Sequence, residues 1–150
     1  MGEHTVASFD EELQSIDRLL CDMGELAASM VDDATRALLS TDAALAQRII
    51  SDDPIMDAKQ RELDDKAITL IARRQPMAQD LRAVVSAIRM AGDLERIGDL
   101  AKNIAKRVGA VGLTSTPSSL SYSIETMAEL VYHQVKKVVD LYVAREAEAL

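Results

Sequence analysis

Apolar residues return at steps of four and three, without a slip, from Phe9 through Leu13, Ile16, Leu20, Met23, Ala27, Met30 and Ala34 to Ala37. A strand alternates every second residue, so a period of 3.5 held for this length fits only a long helix with one buried stripe. Ser8 with Glu11 three places on has the capping-box pattern and puts the helix start near residue 8. Leu38 to Thr41 then reads as a turn, with Asp42 as the next N-cap.

A second seam in the same steps joins Ile49, Asp53, Met56, Gln60, Leu63, Ala67 and Leu70, two of its places being polar. Pro54 falls inside it, but the phase survives across the proline, which favours one kinked helix over two separate ones. Arg73 and Arg74 suit the negative pole of a helix C-terminus, and Gln75-Pro76 ends the helix. A third helix is expected from about Met77 to Val108, ending at Gly109. The segment 109–119, with its glycines, Pro117, Ser and Thr, reads as a linker. After it, Ile124, Met127, Val131, Val135, Val138 and Tyr142 mark a fourth helix.

The expected fold class is therefore all-α: an antiparallel three-helix bundle over residues 1–108, the linker, and a long fourth helix over 120–150. Helices of about 30 residues stand about 45 Å tall at 1.5 Å per residue. On this reading the fourth helix dangles from the bundle with its apolar stripe exposed. Such a stripe is expected to find a second copy of the chain, giving a homodimer or larger homo-oligomer.

Composition narrows the function. In 150 residues, 17 Lys and Arg stand against 25 Asp and Glu, a net charge of −8. That balance argues against DNA or RNA as a partner, since phosphates demand a basic patch. No apolar run approaches the roughly 20 residues that span a bilayer, and Met1 to Asp10 carries acids where a signal peptide is basic and then apolar. The one cysteine, Cys21, closes no internal disulfide and builds no zinc site alone. A cytoplasmic location is the expectation.

Chemistry concentrates on the third helix. Leu81, Val85, Ile88 and Gly92 share a face that continues as Glu95, Asp99 and Asn103. Two carboxylates one turn apart repel unless a cation sits beside them, and carboxylate plus amide oxygen is a ligand set for a hard or borderline metal. The alternative is a rotated buried face, Leu94, Ile97, Ala101, Ile104 and Val108, which leaves the acids to water with Lys102 and Lys106 as ion-pair partners. Only two aspartates have an acid four places before them, Asp99 after Glu95 and Asp57 after Asp53. The Asp53/Asp57 pair falls on the polar interruption of the second seam, so two facing helices each offer a couple; capping beside Pro54 explains Asp53 equally well. Arg82, Arg89 and Arg96 recur every seven residues as a solvated face, with Arg89 placed to pair with Asp93, or as a docking face for an acidic protein.

Other chemistries find less. Neither His4 nor His133 follows a Glu three places back, which disfavours a ferritin-like di-iron bundle. His133, with Lys136 and Lys137 after it, has the outline of a phosphotransfer histidine, although a lone helical histidine is more often surface decoration. No phosphate loop, Ser/His/Asp set or Cys/His pair appears.

The stretches Arg73-Arg74-Gln75-Pro76-Met77-Ala78-Gln79-Asp80-Leu81-Arg82 and Asp93-Leu94-Glu95-Arg96-Ile97-Gly98-Asp99-Leu100-Ala101-Lys102-Asn103-Ile104-Ala105 closely resemble the PhoU family of phosphate-signalling regulators. Phe9-Asp10-Glu11-Glu12-Leu13 and Met23-Gly24-Glu25-Leu26 add to the likeness, which runs from about Phe9 to the end. The resemblance implies two three-helix repeats carrying Glu/Asp-x-x-x-Asp motifs for divalent or iron-type metal, an ion of the iron, manganese, magnesium or zinc kind. The motif maps onto Glu95 and Asp99; Asn103 lies one turn on, and Asp53 and Asp57 occupy a less typical region. The resemblance also implies a non-enzymatic cytoplasmic role: relaying phosphate sufficiency from the ATPase of a phosphate ABC transporter to a membrane sensor histidine kinase, and so repressing phosphate-starvation genes. Contact with the membrane would run only through those partners. The chain stops after what would be the first helix of the second repeat, the pattern expected of a truncated product.

Overall fold

The computed structural model describes the backbone over residues 2–111 and 117–148, with side chains over 8–111 and 117–144. Within these, every element is helical: α1 (Gly2–Ser40), α2 (Ala43–Arg74), α3 (Gln79–Lys106), the single turn α4 (Val108–Val111) and α5 (Ser118–Glu148). Residues 112–116 of the expected linker lie outside the described residues; before them the chain is helical to Val111, and after Pro117 α5 begins at Ser118.

The α1 seam is the axis of the core. From Leu13 to Ala37 all its members are buried, and Phe9 is half-buried. Asp42 caps α2, its carboxylate accepting from the Leu45 amide at 3.0 Å. α2 then runs unbroken through Pro54 as one helix, burying Ile49, Met56, Leu63, Ala67 and Leu70. It ends at Gln75 in the left-handed region, whose amide donates to the Ile71 carbonyl at 3.0 Å.

Cross-helix bonds report the directions. Lys59 reaches Asp22, Lys66 reaches Ser15, and Arg74 reaches Glu12 and Ser8, so α2 runs antiparallel to α1. Gly92 lies by Gln60, Gly98 by Met56 and Lys102 by Asp53, which makes α3 antiparallel to α2.

Several expectations change. α1 begins at Gly2, not near residue 8, because nothing in the preceding residues breaks a helix; the Ser8 hydroxyl accepts from Arg74 rather than capping. α3 begins at Gln79 rather than Met77, since Ala78 sits at φ 51, ψ −109, outside any helix. It ends at Lys106 rather than Val108, and Gly109 takes no left-handed cap: it lies within α4, and the left-handed positions among the described residues are Thr41, Gln75 and Ala78.

The buried face of α3 differs from both readings of the sequence. Val84, Ala87, Ala91, Leu94, Gly98, Ala101 and Ala105 are buried, while Ile97 and Ile104 are half-buried and Leu81 is exposed. Small side chains let α3 lie close to α1 and α2, and the larger apolar residues are displaced to the flanks.

α5 does not dangle. It packs along α1 through Ala128, Tyr132, Val135, Val139 and Tyr142, a seam that keeps Val135 and Tyr142 of the expected stripe but replaces Met127, Val131 and Val138 by their neighbours. Gly24 makes the approach possible: a Cβ there would stand 2.7 Å from Val139 Cγ2. Lys136 pairs with Glu25 at 2.5 Å, and the Tyr142 hydroxyl donates to the Ala83 carbonyl of α3 at 3.1 Å. Leu120, Met127, Leu130, Val138 and Leu141 stay exposed on the far side.

Candidate functional site

The antiparallel register of α2 and α3 decides which polar residues meet. Gly92 on α3 lies opposite Gln60 on α2, a Cβ on the glycine standing 3.8 Å from the glutamine Nε2. One and two turns along, this register brings Asp57 and Asp53 towards Glu95 and Asp99. The two acidic couples, far apart in the chain, share one flank of the bundle.

Lys102 holds that flank together. Its ammonium donates to Asp53 Oδ2 at 2.6 Å and pairs with Asp99 Oδ1 at 2.7 Å. The lysine side chain is 18% exposed and that of Asp53 13%, whereas Asp99 keeps 44% of its surface in water. One member of each couple is thus tied to a single half-buried cation.

The electrostatics follow from this sharing. Its hydrogen bonds to Asp53 and then Asp99 hold the Lys102 ammonium well above its ordinary value, so it stays charged throughout the physiological range. The hydrogen bond from Lys102 lowers Asp99, with Lys106 and Arg96 adding positive potential. Glu95 moves the other way: burial raises it first, then repulsion from Asp57, Asp99 and Asp53, which Lys102 only partly offsets. Four carboxylates and one ammonium leave the flank short of positive charge.

Asn103 lies one turn beyond Asp99, half-buried, outside the ion triad. The structure therefore brings Asp53, Asp57, Glu95 and Asp99 into one electrostatic group and leaves Asn103 at its end. The pairing of Lys102 with Asp99 is legible in the sequence; its reach to Asp53 is not, because that contact depends on how α2 and α3 are registered.

The donor chemistry of the quartet suits a hard cation: four anionic oxygen ligands, partly desolvated and under-neutralised. As arranged around Lys102, however, no three His, Cys, Asp or Glu side chains among the described residues converge to enclose a metal ion. The bridging place between Asp53 and Asp99 is filled by the ammonium.

Elsewhere the candidates are weaker. Arg82, Arg89 and Arg96 are exposed, and among the described residues Arg89 and Asp93 form no ion pair. His133 is exposed on α5, edge-on to Tyr132 at 5.6 Å between ring centres, and the nearby Lys136 is engaged by Glu25. The Cys21 thiol is pushed up by burial and then by Asp17 and Asp22, which makes it a poor nucleophile. No described helix is long and apolar enough to cross a membrane.

Comparison with known proteins identifies the family and the fold. Residues 20–108 match the PhoU domain. The chain is 50% identical over 145 residues to a phosphate-specific transport system accessory protein PhoU homolog of Rhizobium meliloti, covering 97% of this chain and 61% of that protein. A homolog of the same description from Caulobacter vibrioides is 42% identical over 148 residues, covering 99% and 64%. The chain thus spans a little over three fifths of the length of these relatives. The crystal structure of PhoU from Pseudomonas aeruginosa superposes with a TM-score of 0.83 at 31% identity, covering 93% of this chain and 67% of that one.

Proposed function

This chain belongs to the PhoU domain family, and from that premise we propose that it is a non-enzymatic cytoplasmic accessory of phosphate uptake, a helical adaptor that binds metal on the α2–α3 flank. In this role it relays phosphate sufficiency from the ATPase of a phosphate ABC transporter to a sensor histidine kinase, and so represses phosphate-starvation genes. That its relatives are named as accessory proteins of a phosphate-specific transport system supports the transporter side. It meets the membrane only through those partners.

The observation that carries the metal reading is the meeting of Asp53/Asp57 with Glu95/Asp99 across two helices, with burial and mutual repulsion holding Glu95 above its ordinary value. An uncompensated oxygen cluster of this kind gains from a divalent or iron-type ion, whether iron, manganese, magnesium or zinc. Asp53, Asp57, Glu95 and Asp99 are the ligands proposed, with Asn103 as a flanking oxygen.

Two copies associate through the outer face of α5. Leu120, Met127, Leu130, Val138 and Leu141 leave an apolar stripe exposed there, of the kind that two copies bury against each other. Sedimentation of wild type against Leu130→Glu tests it; a monomeric wild type would overturn the pairing.

For the adaptor itself, the experiment is elemental analysis of the protein after incubation with each metal, beside Glu95→Gln/Asp99→Asn, together with capture of the transporter ATPase and the kinase's cytoplasmic portion. Metal retained by wild type and lost in the variant at unchanged helical content is the expected result. Absence of metal from wild type would refute the metal half, and absence of both partners the adaptor half.

A further inference from the structure

We propose that the outward face of α3 is a docking surface for a partner protein, and that its occupant is an acidic helix whose carboxylates repeat every seven residues. This rests on the adaptor reading above for who the partner is, but not for the partner's chemistry.

Charge carries the argument. Arg82, Arg89 and Arg96 are all exposed and recur two turns apart, about 10 Å at 1.5 Å per residue. At 100° per residue they lie within about 40° of arc, on the side of α3 opposite the buried Ala87, Ala91, Leu94 and Gly98. Among the described residues none of the three side chains makes an ion pair or a hydrogen bond, whereas Arg36, Lys59, Lys66, Arg74, Lys102 and Lys136 each hold a carboxylate. Their own helix offers little. Arg82 has no acid three or four places away, Asp93 makes no pair with Arg89, and the Asp99 carboxylate near Arg96 is held by Lys102. In a chain with 25 acids to 17 bases, this line of arginines is left to find its carboxylates on another molecule.

Leu100 gives the line an apolar anchor: it stands on the same side, one turn beyond Arg96, with 56% of its surface exposed. Interfaces are enriched in arginine and depleted in lysine, and a guanidinium fork takes a carboxylate through two parallel hydrogen bonds. A helix laid along α3 at about 20° keeps a seven-residue repeat in step with the arginines over the roughly 27 Å from Arg82 to Leu100. An anionic bilayer or a nucleic acid also offers negative charge to the arginines. Each, however, presents it as an unbroken field that repels a molecule of net charge −8, and a helix with one acid every two turns does so far less.

The test is an NMR titration of nitrogen-15-labelled protein at low salt with a synthetic helix of about 24 residues, carrying glutamate at every seventh place, one leucine, and alanine and glutamine elsewhere. Saturable shifts of the Arg82, Arg89 and Arg96 Nε–H resonances below about 1 mM peptide are expected. A peptide of the same composition with its glutamates gathered at one end should bind about tenfold more weakly. Arg89→Glu/Arg96→Glu should weaken the in-register peptide about tenfold and bind its lysine counterpart instead. Arg18→Glu/Arg48→Glu, an equal change of charge at exposed sites of α1 and α2, should alter the affinity less than about twofold. Silence at the three arginines, equal binding of the two glutamate peptides, a response confined to phosphatidylglycerol vesicles, or self-association lost in Arg89→Glu/Arg96→Glu overturns the proposal. Capture of the transporter ATPase or the kinase undiminished in Arg89→Glu/Arg96→Glu overturns it too, with the adaptor reading intact. In-register peptide binding by a wild type that captures neither protein leaves this surface standing and removes the adaptor reading.

Discussion

Gly24 gives the sharpest test of how α5 is held. Replacing a glycine within a helix by alanine gains about 1 kcal/mol of helix propensity. Here the new methyl would stand 2.7 Å from Val139 Cγ2, with Val139 Cβ at 3.5 Å and Cγ1 at 3.6 Å. Valine in a helix has one strongly preferred rotamer, so it cannot swing the methyl away, and α5 must move out as a body. Overpacking of this kind costs about 1–3 kcal/mol. Gly24→Ala should therefore destabilise the protein by about 1 kcal/mol net of the propensity gain. Removing the obstructing methyls should reverse the sign, so Gly24→Ala placed on a Val139→Ala background becomes stabilising, with a coupling of about 1–2 kcal/mol. Two glycines of α3 serve as controls. A Cβ on Gly92 meets only Gln60 Nε2 at 3.8 Å, and one on Gly98 meets the flexible ends of Met30 and Met56 at 3.4 Å, so each alanine there should be neutral to stabilising. Urea unfolding followed by circular dichroism, with hydrogen exchange along α5, measures the five variants beside wild type. A Gly24→Ala protein more stable than wild type, and additive with Val139→Ala, would refute the claimed contact.

Three further outcomes follow from the same structure. Asp64 has a buried carboxylate oxygen with no hydrogen-bond partner among the described residues, and burial, then Asp65, raises it; its charge therefore costs stability above the ordinary carboxylate range, so Asp64→Asn should raise Tm at neutral pH and lose that advantage below about pH 4. Glu12 is the opposite case, lowered chiefly by its hydrogen bond from Arg74, so Glu12→Gln should lower stability at neutral pH by up to about 1 kcal/mol, the difference fading as acid protonates wild-type Glu12. Val139→Ala should cost about 1–3 kcal/mol in urea unfolding and Val138→Ala close to nothing; the reverse order would restore the seam read from sequence alone.

How much of this fold the chain discloses depends on the size of the residues that do the packing. The α1 seam is legible because Leu13, Ile16, Leu20 and Met23 are large and hold one phase, and Asp42 and Gln75-Pro76 are local signals that need no tertiary help. On α3 the contacts are made by Ala87, Ala91, Gly98, Ala101 and Ala105, which look weak beside Leu81, Val85 and Ile88, so a hydrophobic pattern points to the flank instead of the interface. α5 carries adjacent apolar pairs, Val131 with Tyr132 and Val138 with Val139, so its period alone admits two phases. What chooses between them is on another helix: the missing side chain at Gly24 leaves room for Val139. The same dependence governs the polar flank. Glu95 and Asp99 announce themselves as a turn-spaced couple, but the meaning of Lys102 appears only when α2 is laid antiparallel beside α3 and Asp53 arrives within 2.6 Å. A helix reveals its own stripe in its sequence, whereas a contact decided by two helices is written half in each, and the shorter the side chains at that contact, the less either half reveals.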